Sequence, residues 1–349
     1  MSLCDRECNR CVMQMHCQGC SLCEIPFCNS ECSRCFSLCP KRPAAFGHLK
    51  KIGGGELHLK ENNIDDLPIF IPIVPDHLPV RMKVRDTIGV HGGKMMTSSG
   101  ENVSRVFRQK GIQEALNLDE SAEAVLQFYV KDRAIEGLWD NRKEVYKQLA
   151  AFSWRAIIAP NFSVYEDAPR VDHLYNMKRS NIVYNELLDE GFNAIPDISW
   201  YNRIDLDQWA REIIKNKIKT ISYSFQTVST KSKASNTWRH YIMGYDYLIR
   251  QIPEDVSIIL AGIVSPAKLK ILRTAGKGLN RISVLNQTAY LQSRRGILSE
   301  DPGRETGELS KEKLFEKNME FYETEYLEIG LGGKDCAKIK KQQHRNQGI

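Results

Sequence analysis

The 349-residue chain lacks any uninterrupted apolar run of the roughly 20 residues that a membrane-spanning helix requires. We therefore expect that it is not an integral membrane protein. Polar residues and cysteine dominate its first 40 positions, where a secretory signal peptide would carry an apolar segment. These two absences predict a cytoplasmic protein with no membrane partner.

Several catalytic motifs are also missing. No G-x-G-x-x-G follows the first predicted strand, and no P-loop is present, which disfavours the common dinucleotide-binding and nucleoside-triphosphate-binding classes. Without an H-E-x-x-H helix or a hydrolase-like Ser, His and Asp order, zinc peptidases and standard serine hydrolases have no support. With 42% hydrophobic and 26% charged residues, the chain can bury a sizeable core.

Cysteine is abundant but almost confined to one short segment. Ten of the 11 cysteines lie between Cys4 and Cys39, and the eleventh is Cys336. Most gaps within the segment are two or three residues, so successive thiolates can converge on one metal ion or cluster. The ten candidate metal ligands are Cys4, Cys8, Cys11, Cys17, Cys20, Cys23, Cys28, Cys32, Cys35 and Cys39.

Three kinds of chemistry compete for these thiols. Five disulfides are disfavoured, because no secretion signal accompanies them. Structural zinc and one or more [4Fe-4S] clusters fit equally well, since each binds groups of four thiolates. The segment has few apolar residues, so we expect metal binding and folding of this module (residues 1–40) to be coupled.

Two arrays in the module share the spacing C-x3-C-x2-C, namely Cys4/Cys8/Cys11 and Cys28/Cys32/Cys35. This spacing resembles the cluster loop of radical S-adenosylmethionine enzymes, and the resemblance implies a radical iron–sulfur enzyme as one reading. Arg10 and Arg34 stand where that family commonly has an aromatic residue. The tandem arrays therefore favour a ligand-binding repeat over a single catalytic loop.

Residues 41–85 are predicted to be a linker and an extended segment. Gly53, Gly54 and Gly55 are followed by a polar stretch without useful periodicity. The apolar run Ile69–Val74 contains Pro72, which cannot donate to a sheet. This run is therefore predicted to be an edge strand or an extended segment.

Residues 86–292 alternate short apolar runs with amphipathic stretches at roughly 30-residue spacing, which is typical of parallel β-α-β units. Seven strand candidates favour a (β/α) barrel-like domain over an open doubly wound sheet. They are Thr87–Val90, Val125–Val130, Arg155–Ala159, Asn193–Ile198, Thr220–Phe225, Ser257–Ala261 and Arg281–Leu285. Residues 293–349 are predicted to form a polar, partly helical and basic tail.

Function in parallel β/α architectures gathers in the loops after the strand carboxyl ends. The residues there are rich in Asp, Asn, Ser, Gln, Arg and aromatic side chains, which suit a planar polar ligand such as a nucleobase. The candidate catalytic residues are Asp132, Asp167 and Asp197. The candidate substrate-binding residues are Arg133, Asn161, Phe162, Ser163, Arg179, Trp200, Ser224, Gln226 and Asn286. The arginines would bind anions, and the two aromatic rings would offer stacking surfaces.

Five short pieces occur in order between about residues 128 and 262. They are D-R, W-D-N, P-N-F-S-V-Y, R-S and I-P-x-x-x-W, beginning at Asp132, Trp139, Pro160, Arg179 and Ile195. This stretch resembles an uncharacterised domain-of-unknown-function family carried by phages, plasmids and other mobile elements. Family members often have Asp at the position of Asn161, so an acidic role there would pass to Asp167 or Asp197. The resemblance implies a context in nucleic-acid metabolism and no mechanism.

The leading functional prediction is a metal-containing enzyme of mobile-element type. It would act on a nucleotide or nucleobase, free or within DNA or RNA, at the strand carboxyl ends. The alternative is a non-enzymatic nucleic-acid-binding protein with a structural zinc module and a basic tail on phosphates, whose affinity would fall steeply with salt. The radical S-adenosylmethionine enzyme is the third reading.

Overall fold

The computed structural model describes residues 43–64, 66–119, 122–165, 168, 170–226, 236–274, 281–303 and 309–331. Within these ranges every strand pairing is parallel, and one sheet contains nine strands. The strands are β1 (Phe70–Val74), β2 (Thr87–His91), β3 (Glu123–Gln127), β4 (Trp154–Ile158), β5 (Ala194–Ile195), β6 (Asp197–Ile198), β7 (Thr220–Ser224), β8 (Ser257–Ala261) and β9 (Ile282–Asn286).

The sheet curls into a nearly closed barrel. Its strand order is β5-β4-β3-β2-β1-β9-β8-β7-β6. The two outermost strands, β5 and β6, are separated in the chain by Pro196 alone. The two edges of the sheet therefore meet, as the predicted (β/α) barrel-like fold requires.

Helices connect the strands and surround the barrel, in the alternation that the sequence predicts. They are α1 (Pro43–Lys51), α2 (Gly92–Met95), α3 (Arg105–Leu116), α4 (Asp132–Leu149), α5 (Arg170–Asp189), α6 (Arg203–Lys215), α7 (Asn236–Ile249), α8 (Pro266–Arg273), α9 (Thr288–Arg294) and α10 (Lys311–Leu331). No helix in the described ranges is both long enough and apolar enough to span a membrane.

Strand β1 corrects one expectation. The run Ile69–Val74 was expected at an edge or outside the sheet, but β1 pairs with both β2 and β9, and all five of its residues are buried. Pro72 is accommodated because pairing with β2 begins at Ile73, so the missing N–H falls where that ladder starts. The segment predicted to be extended thus supplies a central barrel strand.

Side chains alternate between two cores along each strand. The outer core lies between strands and helices and includes Leu126 and Phe128 of the β3 region and Ile198 and Trp200 of the β6 region. The inner core fills the barrel with apolar side chains, namely Ile64, Ile71, Ile73, Val125, Tyr129, Ala156, Ile158, Ile195, Ile259, Ala261 and Leu285. A residue between two members of the outer core therefore faces the barrel interior.

Asn62 helps to close the barrel at the amino ends of its strands. This buried amide donates to the carbonyl oxygens of Ala194 (3.3 Å) and Thr220 (2.9 Å). Its own oxygen accepts from the backbone N–H of Lys219 at 2.8 Å. Asn62 thus ties together the amino-terminal starts of β5 and β7.

Candidate functional site

Asp197 lies at the centre of a buried hydrogen-bond network at the carboxyl ends of the strands. Its side chain is fully buried. The Tyr129 hydroxyl donates to Asp197 Oδ1 at 2.5 Å, and the Asn161 amide donates from Nδ2 to Oδ2 at 2.7 Å. The Ser222 hydroxyl forms a short hydrogen bond with the Tyr129 hydroxyl. Each carboxylate oxygen of Asp197 therefore has a donor.

Four different strand regions contribute to this network. Tyr129 follows β3, Asn161 follows β4, Asp197 opens β6, and Ser222 lies in β7. Asp197 and Ser222 are directly paired across β6 and β7. Tyr129 belongs to the inner core, so its phenol reaches across the barrel to Asp197. These residues are far apart in the chain, and they become neighbours because the barrel closes.

Burial decides the proton affinity of Asp197. Removal from water raises the pKa of its carboxyl from 3.8 to about 7, although hydrogen bonds from Tyr129, Ser222 and Asn161 act in the opposite direction. Burial, together with the neighbouring Asp197, raises the pKa of the Tyr129 phenol well above its ordinary value. Tyr129 therefore stays protonated as a donor, while Asp197 can gain or lose a proton near neutral pH.

A second polar cluster surrounds the start of α4. Asp132 is exposed there and accepts from the Ser163 hydroxyl at 2.8 Å and from the Tyr165 hydroxyl at a short distance. Asp132 was expected in a loop, but α4 begins at this residue. This cluster joins two predicted site residues outside the Asp197 network.

One family model matches the central part of the chain. A family model described as "Domain of unknown function (DUF4417)" matches residues 110–267. All four residues of the Asp197 network fall within this match. The match agrees with the predicted resemblance to an uncharacterised family, while the association with mobile elements and nucleic acids stays a prediction.

The other comparisons add no functional information. No curated protein matches the chain. Among solved structures, the chain is similar to one described as "X-ray crystal structure of the YdjI aldolase from Escherichia coli K12", with 11% sequence identity and a TM-score of 0.40. That similarity covers 84% of this chain and 97% of the aldolase. It is too weak to support an inference about activity.

Arg179, which lies within the DUF4417 match, is almost completely buried and is paired with another protein side chain. Only 5% of its side chain is exposed, and its guanidinium forms a bidentate ion pair with the carboxylate of Glu136. Its guanidinium also lies 4.1 Å from the ring centre of Phe162, which is itself buried. Arg179 and Phe162 are thus engaged with each other and with protein groups in this structure.

Two further predicted residues point away from the barrel interior. Trp200 packs in the outer core, stacks on His240 at 4.5 Å and donates from Nε1 to the Tyr223 hydroxyl at 2.9 Å. Asn286 is fully buried and donates to the hydroxyl of Tyr326 in α10 at 2.8 Å. Neither side chain joins the Asp197 network.

The remaining predicted residues lie nearer the surface. Arg133 and Gln226 are exposed, and Ser224 is half-buried on the inner face of β7. The backbone of Gln226 approaches Gly262, where an added Cβ would lie 2.4 Å from the Gln226 nitrogen. With a φ of 76°, Gly262 lets the ends of the β7 and β8 regions meet closely.

Some predicted sites lie outside the described residues. These are Asp167 and all ten candidate metal ligands between Cys4 and Cys39. Among the residues that the structure does describe, no group of three or more His, Cys, Asp or Glu side chains is arranged to hold a metal ion. The zinc and iron–sulfur predictions therefore rest on the cysteine spacing.

The set of predicted site residues omits Tyr129, Gln127 and Ser222. A sequence signal for Gln127 and Ser222 exists, because each is a polar residue with an apolar residue on either side, within a strand or at its end. No comparable local signal marks Tyr129, since its role depends on a partner 68 positions away. Its assignment requires the closed barrel.

Proposed function

We propose that this protein is an enzyme in which Asp197 transfers protons as a general acid–base at the carboxyl ends of the barrel strands. The observation that carries the proposal is a fully buried carboxyl whose pKa is raised to about 7. Strongly shifted pKa values are enriched at active sites, and barrel enzymes place their chemistry at this end.

The arrangement suits proton transfer in two ways. A pKa near neutral keeps both protonation states of Asp197 populated at the working pH, which is optimal for general acid–base catalysis. Tyr129 and Asn161 fix one carboxylate oxygen each, so the carboxyl is oriented before a substrate arrives.

A nucleobase, free or within a nucleotide, is the proposed substrate class. The carboxyl of Asp197 and the amide of Asn161 together offer the donors and acceptors that read the polar edge of a base. Phe162 and Trp200 are packed into the outer core, so stacking by those rings forms no part of the proposal.

The test is turnover of a panel of nucleobases, nucleosides and nucleotides by the full chain, followed by mass spectrometry and chromatography. Asp197→Asn keeps the shape of the side chain but cannot exchange a proton. It should lower turnover by about 10²–10⁴-fold, whereas Asp301→Asn, at an exposed aspartate, should not change it. Equal turnover by Asp197→Asn and the unmodified protein would show that Asp197 is not the acid–base group.

A further inference from the structure

The segment that follows β4 carries Asn161, one of the donors to Asp197. Asn161 is half-buried, and its Nδ2 lies 2.7 Å from Oδ2 of Asp197. Its short side chain rotates about only two bonds, so the direction of the amide is set by the backbone that carries it. Whatever fixes that backbone therefore also fixes a hydrogen bond to the proposed acid–base group.

The backbone of Asn161 is anchored on both sides. Before it, the Ala159 N–H donates to a carbonyl of β5 at 2.9 Å, and the ring of Pro160 fixes that residue's φ. After it, Phe162 is buried and packs edge-on against Trp139, with the ring centres 5.9 Å apart. The loop is thus tied to the sheet at one end and to α4 at the other.

Asn176 of α5 holds the same loop two positions beyond Asn161. Its Nδ2 donates to the backbone carbonyl of Ser163 at 2.6 Å. Its Oδ1 accepts from Nη2 of Arg179, also at 2.6 Å. Because a guanidinium can only donate, Arg179 fixes the oxygen end of the Asn176 amide and so directs the NH₂ end at Ser163.

Arg179 acts on two successive residues of the loop. Its guanidinium lies 4.1 Å from the ring centre of Phe162, which is close enough for a cation–π contact. Through Asn176 it also orients the donor to the next residue, Ser163. The bidentate ion pair with Glu136 of α4 holds the guanidinium in the position from which both contacts are made.

We propose that Asn176 and Arg179 are positioning residues of the acid–base site, which hold the loop after β4 so that Asn161 donates to Asp197. The chain of contacts runs from Glu136 through Arg179 and Asn176 to the loop backbone, and from Asn161 to the carboxyl. The inference rests on the proposed function, because it names what orients the proposed acid–base group. Asn176 and Arg179 act through Asn161, and neither needs to touch a substrate.

The test is NMR titration of Asp197 in the isotope-labelled full chain carrying Asn176→Leu. Leucine has a similar shape and removes both polar contacts of Asn176, while Phe162 stays packed and keeps the carboxyl buried. Asp197 then loses the Asn161 donor, which stabilises its charged form. We therefore expect the pKa of Asp197 to rise by up to about one pH unit. The side-chain NH₂ protons of Asn161 should also exchange faster with water.

Asn185→Leu is the matched control on the same helix. Asn185 accepts from the backbone N–H of Lys60 at 3.0 Å and donates to the carbonyl of His58 at 2.6 Å. It thus makes the same number of polar contacts as Asn176, but to a segment that does not carry Asn161. Asn185→Leu should weaken the fold and leave the pKa of Asp197 unchanged, which separates positioning from a general loss of stability.

A double variant shows whether Asn176 acts through Asn161. Asn161→Leu alone should raise the pKa of Asp197, whereas in a chain that already carries Asn176→Leu it should add little. Fully additive shifts would overturn the proposal, as would an unchanged pKa in Asn176→Leu. A fall of the pKa towards 3.8 would also overturn it, because Asn176 would then serve to keep water out.

Arg179→Lys tests the other positioning residue and covers a failure of Asn176→Leu to fold. Lysine keeps a positive charge beside Glu136 but lacks the planar group that reaches Glu136 and Asn176 at once. The pKa of Asp197 should rise in this variant as well, by less than in Asn176→Leu. The same pKa in Arg179→Lys and the unmodified chain would remove Arg179 from the proposal.

The unmodified chain separates this failure from failure of the proposed function. If its Asp197 titrates near 7 and the Asn176 and Arg179 variants do not change that value, the positioning role is wrong and the acid–base site stands. If Asp197 of the unmodified chain titrates near its ordinary 3.8, the proposed function itself is wrong.

Discussion

The hydroxyl of Tyr129 donates to Oδ1 of Asp197 across the barrel, over 2.5 Å. This bond stabilises the charged form of Asp197 and so lowers its pKa, against the larger rise that burial causes. The network therefore moderates the proton affinity of a carboxyl that burial alone would raise further. Tyr129 sets the strength of the acid as well as its orientation.

Removal of the Tyr129 hydroxyl should raise the pKa of Asp197 above about 7. Tyr129→Phe keeps the ring in the inner core and deletes only the donor, so the carboxylate loses one of its stabilising bonds. NMR titration of labelled aspartate measures the shift directly. Tyr165→Phe is the matched control, because its hydroxyl serves Asp132 instead. An unchanged or lowered Asp197 pKa in Tyr129→Phe would contradict the assignment of this bond.

Asn161→Asp should create a pair of interacting carboxyls, since the amide at this position lies 2.7 Å from Asp197 Oδ2. Two carboxylates this close cannot both ionise freely, so the pair should hold one proton to a higher pH than Asp197 alone. The expected titration has two separated steps shared by both residues. Independent titration of the two aspartates would show that the side chains do not remain in contact.

The raised pKa of Asp197 also predicts how stability depends on pH. Between its ordinary value of 3.8 and its folded value of about 7, the folded protein keeps a proton that the unfolded chain has released. The free energy of unfolding contributed by Asp197 is therefore full below that range and is lost as pH rises through about 7. The total loss is at most roughly 4 kcal/mol.

Urea unfolding at about pH 5 and about pH 8 checks this prediction. The decrease in the free energy of unfolding between these conditions should be smaller in Asp197→Asn than in the unmodified chain. Asp301→Asn should retain the full decrease, because its side chain is exposed. The same pH dependence in all three proteins would place the pKa of Asp197 at its ordinary value.

The sequence predicts the barrel well because strands and helices alternate with clear local signals. All seven strand candidates overlap observed strands. Strand β1 was misjudged because Pro72 is a poor strand residue on average, and its tolerance here depends on where pairing with β2 begins. That detail belongs to the register of the sheet, which local sequence does not reveal.

The site was predicted only in part for a related reason. Asp197 and Asn161 stand at strand ends and were found by that rule. Trp200 and Asn286 satisfy the same rule, yet they face outward. The side of the sheet to which a side chain points is set by the alternation along the strand. A shift of one residue therefore moves the side chain to the opposite side. Tyr129 was missed because its partner comes from a strand brought near by closure of the barrel.

The cysteine module gives a prediction that depends on the sequence alone. Ten thiols within residues 4–39 and few apolar residues predict that this module folds around metal. The full chain, purified without oxygen, should therefore contain either zinc or iron with sulfide, in amounts of about one or more sites per chain. A colourless protein with zinc would favour a structural module, whereas a brown protein with iron and sulfide would favour a cluster.

Variants connect the metal to particular thiols. Serine at Cys4, Cys8 and Cys11 together should lower the metal content, because serine does not replace a thiolate as a ligand of zinc or iron. Cys336→Ser should leave the metal content unchanged, since this cysteine is remote from the module in sequence. A folded, metal-free protein would refute both kinds of site. Iron with S-adenosylmethionine cleavage after reduction would instead establish the radical-enzyme reading.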